Sequence, residues 1–137
     1  MGKALGIDYG IKRTGIAITD AMQIIASGLT TVATHTLDAF ISNLVQKEAI
    51  ECFVVGDPKN LDGTATDSTG HVNGFVKRIK HTYPNIPIHQ IDERFTSKIA
   101  KQSILASGVK KKVRQNKALV DQVSATIILQ NYLDYKA

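Results

Sequence analysis

Apolar positions alternate in short runs over the first thirty-odd residues and then recur at helical spacing. Lys3 to Tyr9 is short and apolar, Thr14 to Thr19 alternates β-branched and small residues, and Ile24 to Ala33 repeats that pattern after a break, which predicts three strands. The links between them are only about four residues long, whereas parallel neighbours need crossovers of a dozen or more, so these strands form an antiparallel meander. Leu37, Phe40, Ile41, Leu44 and Val45 then follow Thr36, a suitable N-cap, and predict an amphipathic helix to about Ala49. Cys52 to Val55 reads as a buried strand, and Gly56 to Thr64 as a long loop dense in turn formers.

Val72, Phe75, Val76 and Ile79 predict a second helix ending before Pro84, and Ile86 to Ile91 alternates as a strand. A third helix over Ser97 to Ser107 stops at Gly108, the stretch Val109 to Gln115 is basic, and a last helix runs from Lys117 to Tyr132. The later strand–helix–strand units are long enough for parallel crossovers. The expected fold is therefore α/β, a mixed five-stranded sheet of an antiparallel three-stranded meander plus parallel strands, flanked by helices.

Composition narrows the class. The 137 residues, 43% hydrophobic and 21% charged, suit one folded domain over 1–137. No apolar run approaches the roughly 20 residues of a membrane span, and Asp8 comes too early for a signal peptide, so a soluble cytoplasmic protein is expected, with no membrane partner. Cys52, the one cysteine, sits in an apolar run and reads as a buried strand residue. His35, His71, His81 and His89 fall at no metal-ligand spacing and read as surface or packing residues.

The formal net charge is +5, and its distribution is sharper than its total. Arg94, Lys98, Lys101, Lys110, Lys111, Lys112, Arg114 and Lys117 follow one another with no acidic residue between them, a run of +8. Such a run is either a solvated face or a grip on a polyanion.

Three acids occupy costly places. Asp8 closes an apolar central strand, where a carboxylate is desolvated unless cations or donors meet it. Glu93 follows the last strand, at the mouth where open α/β sheets bind ligands. Asp121 shares a helical stripe with Ala125, Ile128 and Tyr132, a stripe expected to face inward. Singly, a turn, an ion pair with Arg94 and a helix dipole account for them. Together they suggest convergence, and clustered carboxylates repel unless they hold a divalent metal. Oxygen donors suit Mg²⁺ or Mn²⁺, and two such ions can serve phosphodiester hydrolysis. Asp8, Glu93 and Asp121 are thus the expected catalytic and metal-ligating residues, with Asp92 pointing away by strand alternation.

The stretches Asp8-Tyr9-Gly10-Ile11-Lys12-Arg13-Thr14-Gly15-Ile16-Ala17, Val55-Gly56-Asp57-Pro58 with Asp62-Gly63, Asp92-Glu93-Arg94-Phe95-Thr96-Ser97 and Asp121 to Gln130 resemble, in order, the four signatures of the YqgF (RuvX) family. The resemblance implies a ribonuclease H-like fold akin to the RuvC resolvase and a three-carboxylate nuclease site, its carboxylates falling on Asp8, Glu93 and Asp121. It implies two substrates, the 5′ end of pre-16S ribosomal RNA or a Holliday junction, and cleavage leaving 5′-phosphate and 3′-hydroxyl ends. Asp57, where a hydrophobic residue commonly precedes the Pro, and Ser124, in place of a usual Ala, depart from the pattern.

Around these acids, Gly10 and Gly15 are expected to permit tight turns. Lys12, Arg13 and Arg94 are expected to contact phosphate, and Lys110, Lys111, Lys112 and Arg114 to grip the backbone without reading bases. The partner is then structured RNA or branched DNA, with pre-ribosomal particles in the first case. A monomer suffices for trimming an RNA end, whereas junction resolution suggests a homodimer. Two other readings stand beside this one. Ile7 to Gly10 with Thr14 to Ala17 also resembles the phosphate-binding hairpin of actin-like and sugar-kinase folds, but those enzymes use two such domains. A non-catalytic nucleic-acid-binding or ribosome-assembly module could use the basic run while its acids hold a structural ion.

Overall fold

A computed structural model describes residues 2–57, 69–92 and 117–136. Five strands form one sheet: β1 (Lys3–Asp8), β2 (Arg13–Thr19), β3 (Ala26–Ala33), β4 (Ile50–Asp57) and β5 (Ile88–Asp92). Three described helices accompany it: α1 (Leu37–Lys47), α2 (Thr69–Thr82) and α3 (Lys117–Lys136). The spatial order is β3-β2-β1-β4-β5. β2 runs antiparallel to both β1 and β3, while β4 is parallel to β1 and to β5, as the link lengths predict.

Strand alternation splits the core in two. Leu5, Ile7, Ile16, Phe53 and Val55 pack on one face with Leu37 and Ile41 of α1 and Val72, Phe75 and Ile79 of α2. Ala4, Ala17, Cys52 and Val54 pack on the other with Ala125, Ile128 and Leu129 of α3. The side chains toward α1 and α2 are large, those toward α3 small. A Cβ on Gly6 would lie 2.8 Å from the Leu129 Cβ. The α3 face therefore carries little side-chain bulk, and the helix backbone approaches the strands closely.

Element boundaries shift where local hydrogen bonds outcompete the apolar pattern. Ile24 and Ile25 precede β3 because their amides donate to the Asp20 carboxylate at 2.9 and 3.0 Å. Both are exposed, each at 64%. β5 begins at Ile88, since the Ile86 amide donates to the Tyr83 carbonyl in a turn. α1 ends at Lys47, as the extended Glu48 leads straight into β4. Thr36 does precede α1, but it makes no side-chain cap; its hydroxyl donates to the Ala33 carbonyl at 2.7 Å and closes a 3₁₀ turn over Thr34–Thr36. Cys52 is buried, as expected. The predicted helix over 97–107, the basic stretch 109–115 and most of the loop after Gly56 lie outside the described residues. No described helix is long and apolar enough to cross a membrane.

Candidate active site

The ends of β1 and β2 and the first turns of α3 meet at one corner of the sheet. Asp8 is the last residue of β1 and pairs with Gly15 of β2. Two positions earlier, Gly6 lies under α3, where its Cβ would be 3.1 Å from the Ala125 carbonyl. Alternation puts Asp8 on that same face, half-buried at its edge.

Gly15 joins this edge to Asp121. A Cβ there would sit 2.0 Å from the Asp121 carbonyl oxygen and 3.0 Å from the Gln122 nitrogen. Gly15 is a mid-strand residue within β2, so it permits a close helix approach and not the turn expected from its place in the motif. Gly28 on β3 continues the groove, with the Gln122 side chain 2.7 Å from its would-be Cβ. The predicted inward stripe of α3 is present: Ala125 and Ile128 are fully buried, and Tyr132 packs against the same cluster. Farther along the helix the Cys52 thiol donates to the Tyr132 hydroxyl at 3.8 Å, and His89 stacks on its ring at 4.9 Å. Burial first, and the Cys52 contact second, push the Tyr132 hydroxyl up to about 12.

Asp121 is held by a cation. Arg13 Nε donates to Asp121 Oδ2 at 3.0 Å, with the two side chains 41% and 25% exposed. Arg13 precedes Gly15 by two positions and so rises on the α3 face. Sequence reasoning assigned Arg13 to phosphate and missed this pair, for the residues lie 108 positions apart and no local spacing links them.

The turn carrying Lys12 is pinned by Thr34, the residue that follows β3. The Thr34 hydroxyl donates to the Gly10 carbonyl at 2.6 Å and therefore accepts from the Thr14 hydroxyl at 2.9 Å, while the Thr34 amide donates to the Lys12 carbonyl. Gly10 is needed here, because a Cβ would lie 2.2 Å from the Arg13 carbonyl oxygen. Tyr9 turns to the opposite face and stacks on Phe75 of α2 at 4.8 Å. One corner thus has its backbone held on both sides of the sheet.

The C-terminal ends of β1, β4 and β5 carry Asp8, Asp57 and Asp92, and Asp57 registers with Asp92. Glu93, Arg94, Lys110, Lys111, Lys112 and Arg114 lie outside the described residues, as does the Asp92 side chain. Among the described residues no three metal-ligating side chains form a group. Asp8 and Asp121 are the two expected ligands whose elements the fold brings together.

A family profile described as RuvX, Holliday junction resolvase, matches residues 2–135. The chain belongs to the RuvX family. Its relatives include proteins named "Putative pre-16S rRNA nuclease" in Flavobacterium johnsoniae, 52% identical over 136 residues and 99% of both chains, and in Flavobacterium psychrophilum, 54% identical over the same lengths. One from Bacteroides fragilis is 51% identical, again over 99% of each chain. Among solved structures, Thermus thermophilus RuvC in complex with a Holliday junction substrate superposes with a TM-score of 0.58 at 16% identity, covering 100% of this chain and 97% of that one. A second T. thermophilus RuvC structure gives 0.57 at 15%, over 98% and 96%. At that identity the likeness is one of fold, and the RuvX chain shares the ribonuclease H-like sheet of RuvC.

Proposed function

We propose that this chain is a divalent-metal-dependent nuclease, formed by one domain over 1–137, that hydrolyses phosphodiester bonds in structured nucleic acid. Its substrate is the 5′ end of pre-16S ribosomal RNA, in the cytoplasm and within pre-ribosomal particles. The observation that carries this reading is the close approach of α3 to β2 at Gly15, which brings Asp121 to the strand pair that ends in Asp8. Carboxylates gathered at one corner of a sheet repel each other, and a divalent cation relieves that repulsion. Names carried by relatives about 50% identical over the whole chain support the RNA substrate.

The donor set fits Mg²⁺ or Mn²⁺. Asp8 and Asp121 offer hard oxygen donors from a strand and a helix whose backbones are fixed, and Glu93 of the Asp92-Glu93-Arg94 motif is the third ligand in this reading. Bound metal of this kind supplies Lewis-acid stabilisation of charge on phosphoryl oxygens. The chain's own part is to hold the carboxylates, to place Lys12 and Arg94 at phosphates beside them, and to track the strand backbone with Lys110, Lys111, Lys112 and Arg114.

A second reading, Holliday junction cleavage by a homodimer, is favoured by the family's description and by the fold shared with a junction-bound RuvC. Matched precursor-RNA and four-way DNA substrates, each with Mg²⁺ or Mn²⁺, separate the two. RNA cleavage at the 5′ side with little junction cleavage is expected. Asp8→Asn and Asp121→Asn should each lose about 100-fold or more in rate yet keep their affinity for the RNA, since neutralising a ligand removes repulsion from phosphate. Undiminished cleavage by Asp8→Asn would overturn the site. Equal loss of cleavage and binding would make the acids structural and favour the non-catalytic module.

A further inference from the structure

We propose that Arg13 is a counter-ion that competes with divalent metal for the Asp121 carboxylate, and that its release from Asp121 makes its guanidinium available to a substrate phosphate. The inference rests on the reading of Asp121 as a metal ligand. Its own basis is the form of the ion pair. Of the three guanidinium nitrogens only Nε contacts Asp121, at 3.0 Å and to Oδ2 alone. Arg78, by contrast, grips Asp38 with a fork, Nε to Oδ2 at 2.7 Å and Nη2 to Oδ1 at 3.2 Å. A fork is the geometry of a durable pair, and a single contact on a partly exposed carboxylate is weak and easily exchanged.

Placement supports exchange. Arg13 begins β2 at the edge of the α3 face, and its backbone is held there by the turn that Thr34 pins. The side chain, 41% exposed, is long enough to move while the backbone stays. A divalent cation on Asp121 would repel the guanidinium, and a phosphate of the strand being cut would then offer it a new anion. Planar, two-nitrogen recognition of phosphate then becomes available to Arg13.

Calorimetric titration with Mn²⁺ alone, without nucleic acid, tests this on the wild type, Arg13→Ala, Arg13→Gln, Arg13→Lys and Asp121→Asn. Both neutral variants should bind Mn²⁺ about 10-fold more tightly than the wild type, because a competing positive charge is gone. Arg13→Lys should stay near the wild type. The same neutral variants should bind precursor RNA more weakly in Mn²⁺. A residue serving only to brace the fold would weaken both affinities on removal, so opposite signs identify the counter-ion. Unchanged or weaker Mn²⁺ binding in whichever neutral variant folds, while Asp121→Asn abolishes it, would overturn the inference and leave the metal site standing. If Asp121→Asn binds Mn²⁺ as the wild type does, the metal-ligand reading itself fails and the inference falls with it.

Discussion

Gly15 decides whether α3 can reach the end of β1. Any other residue there puts its Cβ 2.0 Å from a helix carbonyl, and backbone, unlike a side-chain tip, has nowhere to go. Gly15→Ala is expected to destabilise the protein by about 3 kcal/mol, the upper part of the range for overpacking, and to push Asp121 away from β2. Gly74 is the control. It is exposed in the interior of α2 with nothing within 4 Å of a would-be Cβ, so Gly74→Ala should stabilise by about 0.5–1 kcal/mol through helix propensity. Urea unfolding of both variants checks the pair, and a stable Gly15→Ala protein with full activity would mean that the close approach is dispensable. In the sequence Gly15 looks like any motif glycine. Its role depends on a helix more than a hundred residues later, and only the folded chain supplies that neighbour. The positions of Asp8 at a strand end and of Asp121 on the inward helix were legible because their signals are local, an acid ending an apolar run and an acid on an apolar helical stripe. The Arg13 pair has no such signal.

The described strands and helices followed from periodicity, and the shifted starts of β3 and β5 share one cause, a local turn held by hydrogen bonds. Between β2 and β3 the apolar Ile24 and Ile25 look like strand, yet Asp20 takes the amides of Met22, Ile24 and Ile25 and turns the chain there, with Gln23 at φ 54°. Hydrophobic pattern reports what a residue would bury, not which carboxylate its amide meets first. These amide bonds, Ile25 foremost, hold the Asp20 carboxyl below its ordinary 3.8. A group whose folded value lies below its unfolded one binds fewer protons when folded. Its contribution is therefore complete above 3.8 and drains away as pH falls through the lowered folded value. Asp20→Ala should lower the melting temperature at neutral pH, and the gap to the wild type should close as pH is taken below 3.8. A gap that persists unchanged in acid would assign the loss to backbone entropy and not to the carboxylate.

In the molecule as a whole, the two faces of the sheet are packed differently. Large side chains fill the side under α1 and α2, while the strands under α3 present the smaller Ala4, Gly6, Gly15, Ala17, Cys52 and Val54, with Asp8 at the edge. Charge is divided along the chain in the same spirit. The run from Arg94 to Lys117 holds eight cations and no acid, so the remaining residues, with nine Lys and Arg against twelve Asp and Glu, are net −3. A protein of that pattern is drawn to a polyanion by one segment and repelled by the rest, and its affinity should depend on that segment's counterion release. Replacing Lys110, Lys111, Lys112 and Arg114 together by Ala removes four of these charges. For single-stranded RNA each neutralised phosphate contributes about 0.7 to the slope of log affinity against log salt, so the slope should fall by about 3 if all four contact the strand. Such contacts read no bases, so the order of preference among RNA sequences should stay the same while every affinity drops. Fluorescence anisotropy across a salt series measures both. A slope left at the wild-type value would move the contact surface elsewhere, and a reordered sequence preference would make the segment a reader of bases.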